Sequence, residues 1–486
     1  MKTNLGTRVL LLLSFMVLNV FLVADLSSAE TKTFVKEYTF HAGDEDSKNS
    51  CRAIALREVK RLLLEELGTY LESTTEVRSF QLTSDQIVTL TAGIVQTELV
   101  EEKWDGKVYW LKAKISADSD GVVKAIDAVR KDREKSRELE AMRLKSDELM
   151  REIETLRKEM AAQNGGRESR QAAYDQSIRK LSSAEWIEKG HAATELKDSF
   201  DAYSRAIELD PTNIKAFYFR ARISEKNQAL SDYYKILSLE AETSEDHLIL
   251  AWAYKELDQI DSALQEFGKA IETATNSKEK ATAHFDRGRY YTLPNVEKQI
   301  PNARELSIRD FDQAIALDPT DAFYFSWRAT AYMGLKRYHE AIKDLTAGLK
   351  VDPKKANLYV ARARAYQYLK MDELAVADLS RAIELEEPAE GLHDLLVAED
   401  LSLRAFSYER LGKYELALAD WDALVKIEPD DPYYMRKKAG LYVLLGKYDE
   451  AIRDYGRVLS LKLENYKLAE AGIFQDSCRM KLCNRT

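Results

Sequence analysis

A small residue followed three places later by a tyrosine recurs six times in the second half of this chain. The pairs are Ala251/Tyr254, Gly288/Tyr291, Ala329/Tyr332, Ala363/Tyr366, Ala405/Tyr408 and Ala439/Tyr442. Nine residues after five of those tyrosines stands an alanine: Ala263, Ala341, Ala375, Ala417 or Ala451. Four residues further comes a large apolar side chain: Phe267, Leu345, Leu379, Trp421 or Tyr455. Ala329 to Ala363 and Ala405 to Ala439 are both steps of 34 residues. A period of this size, with small residues where two helices touch and a bulky one to fill the groove, specifies stacked helical hairpins. No single hairpin can bury its apolar face alone, so the core forms only by stacking, and stacking leaves an extended surface suited to binding.

Several units end on an acid and a proline: Leu209-Asp210-Pro211, Leu317-Asp318-Pro319, Val351-Asp352-Pro353 and Ile427-Glu428-Pro429. Proline cannot continue the preceding helix and starts the next turn. These residues and their phase resemble the tetratricopeptide-repeat family over residues 181–464. The resemblance implies a mainly α fold, a tetratricopeptide-type helical-hairpin solenoid of about eight units. Gly288 to Ala329 is 41 residues, which implies an insertion around Thr292–Arg304 where Pro294 and Pro301 break the helix; Ala363 to Ala405 is 42, which puts extra chain near Glu386–Gly391. The unit around Ala221 has Ser224 where tyrosine is expected.

The chain begins as an export signal does. Lys2 and Arg8 precede an apolar run, Val9 to Ala24, and Ser27-Ser28-Ala29 offers small residues for cleavage after Ala29. The expectation is a signal peptide over residues 1–29 and a periplasmic or secreted mature protein, with membrane attachment only if the signal stays uncleaved. An oxidising compartment permits disulfides. Cys51 falls in an amphipathic helix and reads as a small buried hydrophobe. Cys478 and Cys483 are five apart, a spacing that brings them together only if the helix ends between them, so a Cys478–Cys483 bridge and two free thiols both stay open. The net charge of −10 argues against nucleic acid as a partner, since that needs a basic footprint.

Residues 30–120 have no repeat phase and read as a small α+β domain. Phe34–Phe40 alternates as a strand, and Asp46 or Ser47 caps a helix with Ala53, Ile54, Val59, Leu62, Leu63, Leu67 and Leu71 at helical spacing. A strand is expected at Glu76–Leu82 and a short helix from Thr83. Ile94–Glu102 and Lys107–Ser116 form a hairpin about Trp104-Asp105-Gly106. This pattern is similar to a small domain of some bacterial envelope lipoproteins and of the flagellar T-ring protein, which implies a cell-envelope setting. Residues 121–163 then read as a long coiled-coil-like helix of ~60 Å. Its seam is Leu139, Met142, Leu149, Ile153, Leu156 and Met160, with Ser146 the polar exception. That seam either pairs in a homodimer through residues 122–162, the favoured expectation, or folds back on the array. Residues 164–180 read as a linker and 465–486 as a C-terminal helix or tail.

No histidine spacing, nucleophile elbow or phosphate-binding glycine loop is present, so neither a catalytic residue, a metal site nor a cofactor is expected and the chain reads as a non-enzyme. Arg220, Arg287, Arg328, Arg362 and Arg404 stand just before the small residue of their units. Asp310, Asp344, Asp378, Asp420 and Asp454 stand just before the bulky one. Constant offsets of opposite sign predict ion-pair clasps between helices. The inner-helix face is expected to carry Tyr218, Arg222, Trp252, Phe285, Arg289, Arg364, Tyr368, Phe406, Tyr433 and Arg436, about half of them exposed; aromatics with arginines suit a protein or peptide partner. The family's chaperone-tail binders clamp a terminal carboxylate with asparagines and lysines. Arg222, Trp252, Arg289, Thr330 and Arg364 stand on those faces here, which does not support that ligand. The functional expectation is an exported protein–protein interaction scaffold of the bacterial envelope. The alternative is a structural component of an envelope or flagellar assembly docked by its N-terminal domain, and the outsider an enzymatic accessory or a binder of peptidoglycan.

Overall fold

The computed structural model describes residues 31–461, apart from 74–76, 79, 81, 132, 163–166, 194 and 386–391. The expected signal peptide, the Cys478–Cys483 pair, the tail and the extra chain near Glu386–Gly391 lie outside the described residues. Two compact units are present. One holds the described residues up to Ala241 together with Trp252–Asp258; the other holds Glu242–Ala251 and the described residues from Gln259 onward.

The first unit opens with strand β1 (Thr31–His41), helix α1 (Lys48–Glu72), helix α2 (Ser84–Ala92) and the hairpin β2 (Glu98–Trp104) and β3 (Val108–Asp118). The three strands form an antiparallel sheet in the order β1-β3-β2. Both helix starts are capping boxes: Ser47 with Ser50, and Thr83 with Gln86. The hairpin turns at Gly106, whose φ of 99° suits a residue without Cβ, while Asp105 Oδ1 accepts from the backbone N–H of Lys107 and Val108. Along β3, Tyr109, Leu111, Ala113 and Ile115 are buried and the alternate residues are not, so one sheet face packs against α1 and the other carries charged cross-strand pairs such as Glu37–Lys112. Cys51 is fully buried in this core, and burial pushes its thiol up to about 11. The strand expected at Glu76–Leu82 is not found among the described residues: Val77 and Arg78 are helical, and Val77 plugs the core.

Helix α3 (Ser119–Lys131) and helix α4 (Arg133–Ala162) follow, separated only by residue 132. Here the structure corrects the sequence reading. The seam is not a free stalk: Leu139, Leu149, Ile153 and Met160 are buried in one core with Phe34, Leu63, Leu67 and Ile115 of the α+β domain. Met142 joins a second cluster with Ile187, Tyr203 and Phe219, and even Ser146 is buried. Leu139 rests on Gly93 so closely that a Cβ there would lie 2.5 Å from its methyl carbons. A face already covered within the chain is not available for the homodimer expected through 122–162. Nor is the expected linker a linker. Residues from Arg167 belong to α5 (Arg167–Ala192), which returns along α4 and contributes Tyr174, Ile178 and Leu181 to the same core. A polar composition misled here because these residues face α4 and α1 along a narrow stripe.

Between α1 and α5 lies a cluster of charges. Arg57 Nη2 donates to Asp147 at 2.9 Å, and Lys60 donates to Glu188. Glu185 Oε1 is sealed from solvent without a hydrogen-bond partner among the described residues. Burial pushes the Glu185 carboxyl up to about 8, against the pull of Lys60, with Glu188 adding to the rise.

From α5 on, the helices pair. Helix α6 (Leu196–Leu209) closes against the end of α5, and α7 (Ile214–Ile223) pairs with α8 (Lys226–Leu237). Next come α9 (Ser244–Glu256), of which only Ser244–Ala251 falls in the second unit, with α10 (Ile260–Thr273), and within the second unit α11 (Ser277–Tyr291) with α13 (Ala303–Leu317). The short α12 (Pro294–Gln299) fills the insertion expected between that last pair. Next are α14 (Ala322–Gly334) with α15 (Tyr338–Val351), α16 (Ala356–Tyr368) with α17 (Asp372–Leu385), and α18 (Leu392–Arg410) with α19 (Tyr414–Ile427). Helix α20 (Pro432–Leu444) precedes a last helix over residues 448–461. Counted from α5 these are eight pairs among the described residues.

The repeated residues do what their spacing requires. Ala329, Ala363, Ala405 and Ala439 are at most 1% exposed, and Phe267, Leu345, Leu379 and Trp421 fill the facing groove at 0%. Asp210 and Asp318 end their helices by accepting from the backbone N–H and hydroxyl of Thr212 and Thr320, which explains the acid in the closure. Within pairs the turn uses a left-handed residue: Asp258, Lys336, Lys370, Gly412 and Gly446, with φ between 56° and 73°.

Candidate partner-binding site

The arginine before each small residue is a clasp. Arg328 donates from Nε and Nη2 to both oxygens of Asp344, at 2.7 and 2.6 Å. Arg220–Asp232, Arg287–Asp310, Arg362–Asp378 and Arg404–Asp420 repeat the same two-point bond. In the last pair Lys438 takes the arginine's place, 3.5 Å from Asp454. Burial works against the Arg328 charge, but the Asp344 and Asp312 carboxylates hold its pKa above the ordinary value. The pair α9/α10 has Leu250 at that place, and His247 one turn earlier meets Glu266 at 2.7 Å instead.

Sequence reasoning missed the third bond. The free guanidinium nitrogen reaches back to the preceding pair: Arg220 to Ser204, Arg328 to Asp312, Arg362 to Thr346 and Arg404 to Ser380. Lys438 likewise meets Asp422 at 2.8 Å. Each of these acceptors follows its unit's bulky residue directly, an offset visible in the sequence once the clasp is known. The clasps therefore tie three helices, and these cations are spoken for.

Successive first helices also touch each other, α14 with α16 and α16 with α18, and Gln367 of α16 donates to the Leu403 carbonyl and the Ser407 hydroxyl of α18. First helices that approach one another line the tighter side of the stack. Of the ten residues expected there, Arg222, Tyr368, Tyr433 and Arg436 are exposed, while Tyr218, Trp252, Arg289, Arg364 and Phe406 are half-buried. Phe285 is a correction. It is 3% exposed, packed among Phe311, Tyr324 and Trp327, because its own pair supplies one ring and the next pair two more. Arg289 stands over the Trp327 ring at 5.3 Å and pairs with Asp286 at 3.5 Å, and Arg364 pairs with Glu399.

Two groups remain open to a partner in the second unit. Tyr368 is 64% exposed, its ring stacked on Tyr338 at 4.8 Å, and borders a cleft of about 480 Å3 lined by Gln367, Lys370, Asp372 and Arg410. Further along, Arg436 stands over the Tyr433 ring at 5.6 Å and Lys437 over Phe406 at 4.3 Å. Cations above aromatic rings can take an acidic group and an apolar side chain side by side. Among the described residues no cluster of three or more histidine, cysteine or acidic side chains is arranged to hold a metal ion.

Tetratricopeptide-repeat family models match residues 324–355, 356–388 and 403–460. No curated protein matches the chain. Among solved structures, the C-terminal part of a TPR repeat-containing protein from Cytophaga hutchinsonii is 17% identical with a TM-score of 0.40, covering 53% of this chain and 98% of that one. YrrB, described as a TPR protein with an unusual peptide-binding site, is 19% identical with a TM-score of 0.34, covering 42% of this chain and 97% of its own. MamA from Desulfovibrio magneticus RS-1 is 15% identical with a TM-score of 0.30, over 37% and 97%. The matched residues are those whose small, bulky and clasping side chains build the stack: the C-terminal half of this chain belongs to the tetratricopeptide-repeat family.

Proposed function

We propose that this chain is an exported scaffold of the bacterial cell envelope that holds a segment of another protein along the first helices of its array. The fold is one that mediates protein–protein interaction. The observation that carries the finer reading is a division of labour among cations and rings. The clasp arginines are used up inside the stack, while Tyr368, Tyr433 and Arg436 stay exposed and Arg364 is held by an exposed pair. Exposed aromatics beside arginines are what protein interfaces use as anchors. Export rests on the charged start, the apolar run and the small residues before Glu30.

A photo-reactive phenylalanine at Tyr368 or Tyr433 of the full chain, expressed in its own cells, tests the site. Adducts with a protein partner at both positions, and none with the probe at Lys343 of α15, are expected. Equal adducts at all three positions, or none, would end the groove reading and leave docking by the N-terminal domain as the alternative. Mass measurement of the mature protein should show a start at Glu30; an intact Met1 overturns cleaved export.

A further inference from the structure

Helix α5 is shared between the sheet domain and the start of the array. Its first half gives Tyr174, Ile178 and Leu181 to the core of the sheet domain. Its end packs Ile187 with Tyr203 of α6 and Phe219 of α7, and Ser183 Oγ donates to the Ala206 carbonyl at 2.9 Å. Where the one set of contacts gives way to the other, Glu185 and Glu188 of α5 face Arg57 and Lys60 of α1. The cations there already have acids. Lys60 is bonded to Glu188, and Arg57 to Asp147 of α4 at 2.9 Å, with Glu188 3.9 Å away. Further out, Arg52 is held by Glu102 of β2 at 2.9 Å and Arg143 of α4 by Asp85 of α2 at 3.0 Å. Burial opposes the Glu188 charge, but Lys60, Arg57 and then His191 outweigh it and hold that carboxyl below its ordinary value.

Glu185 is the acid left over. Its Oε1 is sealed from solvent with no hydrogen-bond partner among the described residues, and so is the Ser146 hydroxyl of α4. Ionising Glu185 sets a second carboxylate on the helix face of Glu188, three residues away, with every nearby cation already committed. We propose that Glu185 is a proton-operated latch: with its carboxyl neutral, α5 stays closed on α1, and loss of the proton parts the end of α5, residues 185–192, from the sheet domain. The array keeps its hold on that end. Ile187, Tyr203 and Phe219, the edge-on contacts of His191 with the last two rings, and the bonds from Asn213 to Ser183 and from Ser183 to Ala206 involve no carboxylate. Burial pushes the closed carboxyl up to about 8, where an open one ionises near 4.5. Opening is therefore favoured progressively as pH rises between those values and levels off above them.

Hydrogen exchange on the full chain, with each rate corrected for the pH dependence of an unfolded amide, tests this. From pH 5.5 to 8, exchange in residues 185–192 and in residues 57–61 of α1 should quicken by about tenfold or more, with α14–α17 unchanged. Glu185→Gln should abolish the quickening and keep the slow exchange of pH 5.5 throughout. Glu188→Gln frees Lys60 to meet an ionised Glu185, so it should flatten the profile with Glu185 still in place. It also carries the test if Glu185→Gln fails to fold. No quickening in the parent overturns the proposal, and so does quickening that survives Glu185→Gln. A Glu188→Gln profile as steep as the parent's overturns the count of charges on which the latch rests. Quickening spread equally over α6–α8 overturns it too, since the first unit would then be opening as a whole.

Discussion

Arg362 holds Asp378 through two parallel bonds, Nε to Oδ2 at 2.7 Å and Nη2 to Oδ1 at 2.8 Å, while its remaining nitrogen reaches Thr346 of the preceding pair. Asp378→Ala leaves a half-buried guanidinium without its acid and should destabilise the array by about 2–4 kcal/mol. Arg289→Ala and Arg364→Ala, whose pairs are more open, should cost less than about 1 kcal/mol while weakening capture of a partner. Urea titrations of the three variants, alongside partner capture, check this. Equal destabilisation by all three would make Arg289 and Arg364 clasps as well.

Ala363→Leu should lower the melting temperature first and binding only as a consequence. Ala363 is fully buried, so added methyls must displace the neighbouring helix, at about 1–3 kcal/mol. Calorimetry of the variant shows the loss directly.

Lys336 sits at φ 60° in the turn where Gly446 occupies the same place at φ 73°. A side chain there is strained and glycine is not, so Lys336→Gly should stabilise by roughly 0.5–1 kcal/mol. The reverse change, Gly446→Ala, should destabilise by about as much, as thermal melts of the two variants would show.

Ile153, at 1% exposure, lies in the core shared by α4 and the sheet domain. Ile153→Lys should therefore destabilise that domain by about 3 kcal/mol or more, with the sedimentation mass unchanged from that of the parent. A fall from dimer to monomer with the domain still folded would instead restore the seam as an interface.

Glu185 links stability to pH. Its carboxyl is raised from 4.5 to about 8 in the fold, so between those values the unfolded chain loses a proton that the folded chain keeps. Stability is then fully present below about 4.5 and declines as pH rises toward 8. Glu185→Gln keeps the shape without the charge. It should match the parent at pH 5 and exceed it by about 1 kcal/mol or more at pH 8, read from urea midpoints at the two values.

The array was legible in sequence because its period fixes which residues touch: Ala363, Leu379 and the Arg362–Asp378 offset all follow from helix geometry. The hairpin at Gly106 and the caps at Ser47 and Thr83 were legible for the same local reason. The seam of α4 was not, since Leu139 and Ile153 show an apolar stripe but not what covers it, and Gly93 and Leu63 are far away in the chain. Phe285 and Tyr368 look alike in the sequence; only the rings supplied by the neighbouring pair bury one and leave the other open.

At the boundaries after α10, one link in the row of clasps is short. Where Ser204, Asp312, Thr346 and Ser380 receive a guanidinium from the next pair, the corresponding residue facing Arg287 is Gly268, which has no side chain to offer. Cooperativity in a stacked array is carried by couplings between neighbours. The α10–α11 boundary therefore lacks a coupling that the later boundaries possess. The second unit is divided there into a short leading segment and a longer, more tightly joined block. Under load or rising denaturant it should part at Gly268 before the clasps downstream give way.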